Sequence, residues 1–455
     1  MKLKRATFTL VSASIVVTAG LVVLPTTASA ASPWSHSSNS LWVNQSATVS
    51  GHHNSCTTPG YTTVSAAIAA APSGATIHVC PATDQAPYVE QLTITKPLNL
   101  VAAGSGVTIE LPAAPAIADT SCDTATGAGP DQDEISICTP GTVTISGITV
   151  EALWPGDTCN DNLYGILVGD TADLKMSDST MDGAGANPIN GCQGGVGIEV
   201  GMSWTTPVEV GHATLKDVTV DNYQKNGITI DGTGSTATIT GTTVTGAGPT
   251  TQTAQNGIQV SYGAEAAIKD STVTGNECDL TGGNIPCGSD SMNDYQAAGI
   301  LFYGSAPGSS VTDSSVGDSD IGVYAFDENA AAPVTANVTV SHDTLNGDRY
   351  EGLVLDQGFT SVTNDTISNG NVGIQVMQYN RQTYGVKALV KDVTVSGMSV
   401  AAAQVYSDEA ATGDDIGSLS ITGSKISGNP GSITGSVLDN SPAYGAYAVT
   451  LKKDT

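Results

Sequence analysis

The sequence predicts an all-β solenoid of stacked short coils. Three observations carry that expectation: a glycine-led phrase that recurs along most of the chain, a strand–turn–strand phrase between its copies, and a composition poor in rings. The first phrase reads most clearly at Asn226-Gly227-Ile228-Thr229-Ile230 and again at Asn256-Gly257-Ile258-Gln259-Val260. Looser copies begin at Gly165, Gly197, Gly299, Gly322, Gly352 and Gly373. Recurrence every roughly 20 to 40 residues marks a stacked repeat. Each copy alternates apolar and variable residues, as a half-buried strand does. The leading glycine is expected to supply a turn with positive φ.

The second phrase reads Ala213-Thr214-Leu215-Lys216-Asp217-Val218-Thr219-Val220 and returns from Ala237, Ala267, Val338 and Val390. It is strand, polar turn, strand, so one repeat holds about three short strands. No helix of useful length fits between them, which argues against a βαβ sheet. Aromatic residues make up only 5% of the chain, as suits a thin core filled by β-branched ladders. One repeat cannot bury its Ile, Val and Leu alone, whereas a stack can. The pattern resembles the single-stranded right-handed parallel β-helix of the pectate-lyase-like superfamily, over about residues 60–450. That resemblance implies one domain, 59–455, with function on its loops and one outward sheet face.

Residues 1–30 have the form of a secretory signal. Lys2, Lys4 and Arg5 precede a largely apolar run to Leu24, and Ala28-Ser29-Ala30 is a small-x-small cleavage site. An uncleaved anchor is the alternative; interspersed Ser and Thr favour export. Residues 31–58, rich in Ser, Asn and His, are expected to be a flexible leader. From Tyr61 to Ala71 the residues Val64, Ala67, Ile68 and Ala71 share one helical face. Thr62 or Thr63 is placed to cap that helix, and Pro72-Ser73-Gly74 to end it. The stretch that follows, with Tyr88-Val89-Glu90, Leu92-Thr93-Ile94 and Leu98-Asn99-Leu100, resembles the opening of pectin methylesterases. There the helix plugs the end of the coil, which would otherwise expose unpaired strands and core. Residues 110–140 read as an insertion rich in Pro, Ala and Asp.

Eight cysteines in an exported chain favour disulfides over a zinc site, because no Cys-x-x-Cys or Cys/His spacing is present. Connectivity does not follow from sequence alone. Neighbours in a solenoid are also spatial neighbours, so the expected pairs are Cys56 with Cys80, Cys122 with Cys138, Cys159 with Cys192 and Cys278 with Cys287.

The net charge is −28 with no basic patch. This argues against a nucleic-acid partner and disfavours polyanions unless a cation intervenes. With the Ile of each glycine-led phrase inward, two outward columns follow from the strand period. One runs Leu167, Glu199, Thr229, Gln259, Leu301, Tyr324, Val354, Gln375. The other runs Gly169, Gly201, Asp231, Ser261, Tyr303, Phe326, Asp356, Met377. Beside them lie Tyr262, Asp327, Glu328, Gln357, Gln378, Tyr379 and Arg381. The chain has four Phe, and beyond the leader its only arginines are Arg349 and Arg381. A patch combining rings, amides and carboxylates suits a sugar chain, since rings stack on C–H faces and polar groups bind hydroxyls. Tyr262, Tyr303, Phe326, Gln357, Gln375 and Gln378 are therefore the expected substrate-binding residues. The opposite reading is that these side chains pack under a neighbouring loop.

Tyr324-Ala325-Phe326-Asp327-Glu328-Asn329 is similar to the Tyr-Gly-Phe-Asp-Pro-His signature of alginate C5-epimerases. That similarity implies acid/base roles for Tyr324 and Asp327. This chain departs from the signature at Glu328 and Asn329, and Asn cannot take up a proton at neutral pH. His342 lies within one repeat in sequence. Asp356 and Arg381 complete the expected catalytic group; with Asp327 and Glu328 they suit Ca²⁺-assisted chemistry. Polygalacturonase-type motifs are not present as a set. The sequence thus points to a secreted monomer that binds an extracellular polysaccharide and extends to its modification as lyase, epimerase or hydrolase. The alternative is a non-catalytic structural or surface-interaction module, and fold alone does not choose between them.

Overall fold

A computed structural model describes residues 39–49, 54–114, 122, 131–156, 159, 162–279, 297–326, 337–356, 358–378, 387–407, 418–427 and 448–452. All belong to one unit, 38–455. Among the described residues the strands form three parallel sheets of 14, 12 and 11 strands, and successive strands of each sheet come from successive coils. This is a parallel β-helix. A coil begins in the 11-stranded sheet with a glycine-led strand such as Asn226–Asp231. It turns into the 14-stranded sheet at Thr236–Thr240 and into the 12-stranded sheet at Thr243–Thr245. It then returns through a longer connection to Asn256–Ser261. The 11-stranded sheet is called the glycine-led sheet below.

The core is a set of aliphatic ladders. Ile135, Ile166, Ile198, Ile228, Ile258, Ile300, Val323, Leu353 and Ile374 are register partners from coil to coil, and none is more than 1% exposed. Bulk is balanced along the stack. Phe302 sits in register between Val260 and Ala325, so one large ring is offset by one methyl group, as dense packing requires.

The glycines of the repeated phrase do not serve the expected purpose. None of Gly165, Gly197, Gly227, Gly257, Gly299, Gly322, Gly352 and Gly373 has positive φ. They are glycines because a side chain has no room. A Cβ on Gly257 would lie 2.4 Å from Val273 and 2.6 Å from the carbonyl oxygen of Gly299. The left-handed residues stand instead at the corner between the 14- and 12-stranded sheets, where Asp217, Asp270, Asp313, His342, Asn364 and Asp392 have φ of 50–63°. Each corner N–H bonds to the next coil, as Asp217 N does to Thr240 O at 3.0 Å. Asp and Asn are the side chains that best tolerate this geometry.

Two further expectations change. Part of the segment 31–58, expected to be a loose leader, joins the fold: Ser40–Val43 pairs in parallel with Ala75–Val79. Part of the presumed 110–140 insertion is a coil strand, Asp131–Cys138, paired with Leu92–Ile94 and Asn162–Gly169. It escaped the pattern because Glu134 holds the place that glycine holds in the next coil. The cap helix is Val64–Ala70, with Thr63 Oγ1 accepting from Ala66 N. Glu90 accepts from the N–H groups of Val64 and Ser65 at 2.8 and 2.9 Å, where a negative charge is favourable. The helix packs on Ser40–Val43, Ala75–Val79 and Leu92–Ile94 and so covers the first coil. Cys56–Cys80, Cys122–Cys138 and Cys159–Cys192 are disulfides as expected. Cys278 is also disulfide-bonded, while Cys287 lies outside the described residues.

Candidate functional site

The two outward columns of the glycine-led sheet exist as register. Leu167, Glu199, Thr229, Gln259, Leu301, Tyr324, Val354 and Gln375 are successive partners. So are Asp231, Ser261, Tyr303, Phe326 and Asp356. Their exposure is not what an open wall would show. Leu167, Glu199, Asp231, Ser261, Val354, Asp356 and Gln375 are all buried. Leu167 packs with Cys122, Tyr164, Val196 and Met202, so side chains from outside the strand cover this face. Among the described residues the face opens in its middle coils, where Gln259, Leu301, Tyr303, Tyr324 and Phe326 are half-buried.

In that opening the expected rings meet. Tyr262 stands edge-on to Tyr303 at 5.2 Å between centroids. Tyr303 and Phe326 follow at 5.4 Å, and Tyr324 and Phe326 at 5.4 Å. Four of the residues singled out from sequence thus form one continuous run. Tyr324 also packs on Ile321 and Val354. Asp356 is beside Phe326 in register yet has 0% exposure, so its carboxyl does not reach a polymer in this arrangement. Gln375 is buried as well, and Gln378 ends the strand Val372–Gln378. Asp327, Glu328, Gln357 and Arg381 lie outside the described residues. His342 belongs to the far corner, where its ring meets Asn364 at 3.2 Å. Among the described residues no group of three or more His, Cys, Asp or Glu side chains is arranged to hold a metal ion.

One end of the run opens into a cleft that the repeat pattern does not reveal. Ser203, Trp204, Val208, Thr233 and Tyr262 line a space of about 500 Å³. Trp204 is 46% exposed and Tyr262 53%. Trp204 rides on a loop fixed at both ends. Met202 and Glu209 exchange backbone hydrogen bonds at 2.9 and 3.1 Å, and Thr205 Oγ1 bonds within the loop to Met202 O and Glu209 N. Buried Asp231 accepts from Ser203 N at 2.6 Å and from Ser261 Oγ at 2.7 Å. Burial pushes the Asp231 carboxyl above its ordinary range, and these hydrogen bonds oppose that shift. Ser261 is tied through Gln259 to Asn226 and Asn256, so the floor of the face is one amide and hydroxyl network. Trp204 is one of only four tryptophans; that rarity was the signal available, but its loop carries no repeat to point to it.

Tyr262 has φ of 51°, an outlier for a bulky residue. Its register neighbours on either side are Gly232 and Gly304, both with positive φ. The backbone here is made for glycine, and a tyrosine occupies it with its ring outward.

A family model described as a right handed beta helix region matches residues 208–387. Among solved structures, the Agl-KA catalytic domain aligns at 14% identity with a TM-score of 0.52, over 85% of this chain and 64% of that one. The catalytic domain of a single-substitution variant of a GH87 alpha-1,3-glucanase in complex with nigerose aligns at 13% identity and TM-score 0.51, over 86% and 67%. A periplasmic alginate epimerase aligns at 10% identity and TM-score 0.49, over 84% and 77%. No curated protein sequence is matched. The first two likenesses and the family match agree on a right-handed parallel β-helix, and at such identity they speak to the fold alone.

Proposed function

We propose that this chain is an exported β-helix protein that recognises an extracellular polysaccharide along the open middle of the glycine-led sheet. The observation that carries the reading is the unbroken run Tyr262, Tyr303, Phe326, Tyr324 in a chain with 5% aromatic residues. Rings in series offer stacking surfaces to successive sugars, and the amides and hydroxyls beside them offer hydrogen bonds. Export is supported by the disulfides, which persist in oxidising compartments. No helix among the described residues is long and apolar enough to cross a membrane.

Modification of the polymer through Tyr324, Asp327, Asp356 and Arg381 is an extension of this proposal. The full burial of Asp356 favours recognition over catalysis. A Ca²⁺ requirement belongs to the same extension, through Asp327, Glu328 and Asp356. The test is a panel of polyuronates and neutral glycans, with and without Ca²⁺. Gel retardation reads binding; new reducing ends or absorbance in the unsaturated-uronate band reads chemistry. Retardation weakened by Phe326→Ala or Tyr303→Ala supports recognition. Product formation would move the reading to an enzyme. Neither retardation nor product would leave the structural module as the better account.

A further inference from the structure

We infer that the cleft between Trp204 and Tyr262 is an anchoring subsite for an uncharged sugar unit, and that the polymer recognised here is a neutral glycan. The inference rests on the polysaccharide reading and narrows it. The cleft is a shallow depression open to solvent; its volume of about 500 Å³ matches that of small-molecule sites, about 300–1,000 Å³, without their enclosure. Its walls are two exposed rings, its edge carries Ser203 and Thr233, and Val208 supplies an apolar wall. From Thr233 to Phe326 the path covers three coil-to-coil steps, about 14 Å at about 4.8 Å each. One continuous surface therefore runs from the cleft along the aromatic run.

Charge selects the occupant. None of the cleft residues is cationic. Several described basic side chains are engaged elsewhere: Lys175, Lys216, Lys269 and Lys391 pair with aspartates on the 14-stranded side. Arg349 pairs with Glu277 and Asp320, and Lys225 donates to Ala254 O. The ionisable groups under the cleft loop are the acids Asp231 and Glu209, both buried. A uronate would bring its carboxylate over these acids with no counter-charge among the described residues lining the cleft, an arrangement that disfavours binding. A neutral sugar needs only stacking and hydroxyl partners, which the cleft supplies. The site is also preorganised: Asp231 and the Met202–Glu209 bridge hold the Trp204 loop, so little ordering is left to occur on binding.

The experiment uses the full exported chain. Tryptophan fluorescence and affinity electrophoresis are recorded against soluble neutral glucan, mannan and xylan, and against polygalacturonate and chitosan as anionic and cationic probes. The expected result is saturable binding to a neutral glycan, weakened about tenfold or more by Trp204→Ala and by Tyr262→Ala, as for loss of a stacked ring. The fluorescence response should vanish in Trp204→Ala. Thr238→Ala, on the far sheet, should leave binding unchanged, and thermal transitions should show that each variant is folded. Tighter binding of polygalacturonate or chitosan, or indifference to both cleft variants, overturns the subsite and leaves the polysaccharide reading standing. Binding of no glycan overturns both. Self-association lost in Trp204→Ala would assign the cleft to a second copy of the chain and overturn the inference.

Discussion

The 14-stranded sheet and the glycine-led sheet share one backbone and one stack of coils, yet their outer faces have little in common. On the first, strands such as Thr236–Thr240 and Glu265–Lys269 alternate exposed and buried residues. Its lysines pair with corner aspartates at 3.6–3.8 Å, with both partners largely in solvent. Exposed pairs of this kind are worth about 0–1 kcal/mol each. On the second, Asn226–Asp231 and Glu351–Asp356 are buried at every position. The difference comes from the connections. A two-residue corner leaves the neighbouring strands uncovered, while the loop at 201–211 folds over the face it leaves. The teaching is that regularity marks scaffold. Chemistry belongs where a loop or an odd residue breaks the ladder.

The largest expected effect tests the shared core. Ile258→Ala removes a wholly buried ladder side chain and should cost about 2–5 kcal/mol. Thr238→Ala, exposed on the 14-stranded sheet, should stay within about 0.5 kcal/mol. Urea unfolding of the two variants measures the contrast. Equal costs would mean that the inward and outward assignment fails.

Acidity should act on the regular side despite its open strands. Its corner with the 12-stranded sheet hides Asp343 and Asp365, and burial pushes both carboxyls up to about 7. The folded state then holds protons that the unfolded chain, at about 3.8, has released. Stability should therefore be greatest near pH 4 and fall as pH rises towards 7. Glu351, pushed up to about 7 by burial, adds in the same direction. Asp365→Asn keeps an oxygen to accept from Asp343 N, a bond of 2.7 Å in the parent, and should flatten the pH dependence of the urea midpoint. A midpoint that rises from pH 5 to 8 would contradict the burial of these groups.

A smaller effect separates the two uses of glycine. Gly257→Ala must displace Val273 or the Gly299 carbonyl and should cost about 1–3 kcal/mol, as overpacking does. Gly248 has open space around it, so Gly248→Ala meets only its φ of 76°, with a cost of about 1–2 kcal/mol. Differential scanning of both variants decides whether volume or backbone angle fixes the repeated glycine. A Gly257→Ala transition equal to the parent would refute the packing account.

The fold was legible because a solenoid writes its geometry as repetition. Counting from Ile228 and Ile258 placed Tyr303, Phe326 and Asp356 in one column without coordinates. Three things were not legible. The coil at Glu134-Ile135 lacks the glycine that announces the others. The burial of Glu199 and Asp356 runs against the outward positions that the strand period assigns them. Trp204 sits on a loop, three residues past Gly201, where the column count left that coil. Asp327, Gln357 and Arg381 lie on segments that the described residues do not include.

The finest test joins the two faces at one residue. Tyr262 occupies a left-handed position between Gly232 and Gly304, and a side chain there costs about 1–2 kcal/mol. Tyr262→Gly relieves that strain, loses the ring contact with Tyr303, and adds chain entropy to the unfolded state, about 0.5–1 kcal/mol. The terms nearly cancel, so stability should stay within about 1 kcal/mol of the parent while glycan affinity falls. A scaffold residue would behave otherwise, because its removal should weaken folding and binding together. If Tyr262→Gly lowers the unfolding midpoint as strongly as a core variant, the ring is structural. The open middle of this face would then be an irregularity of packing, not a surface kept for a ligand.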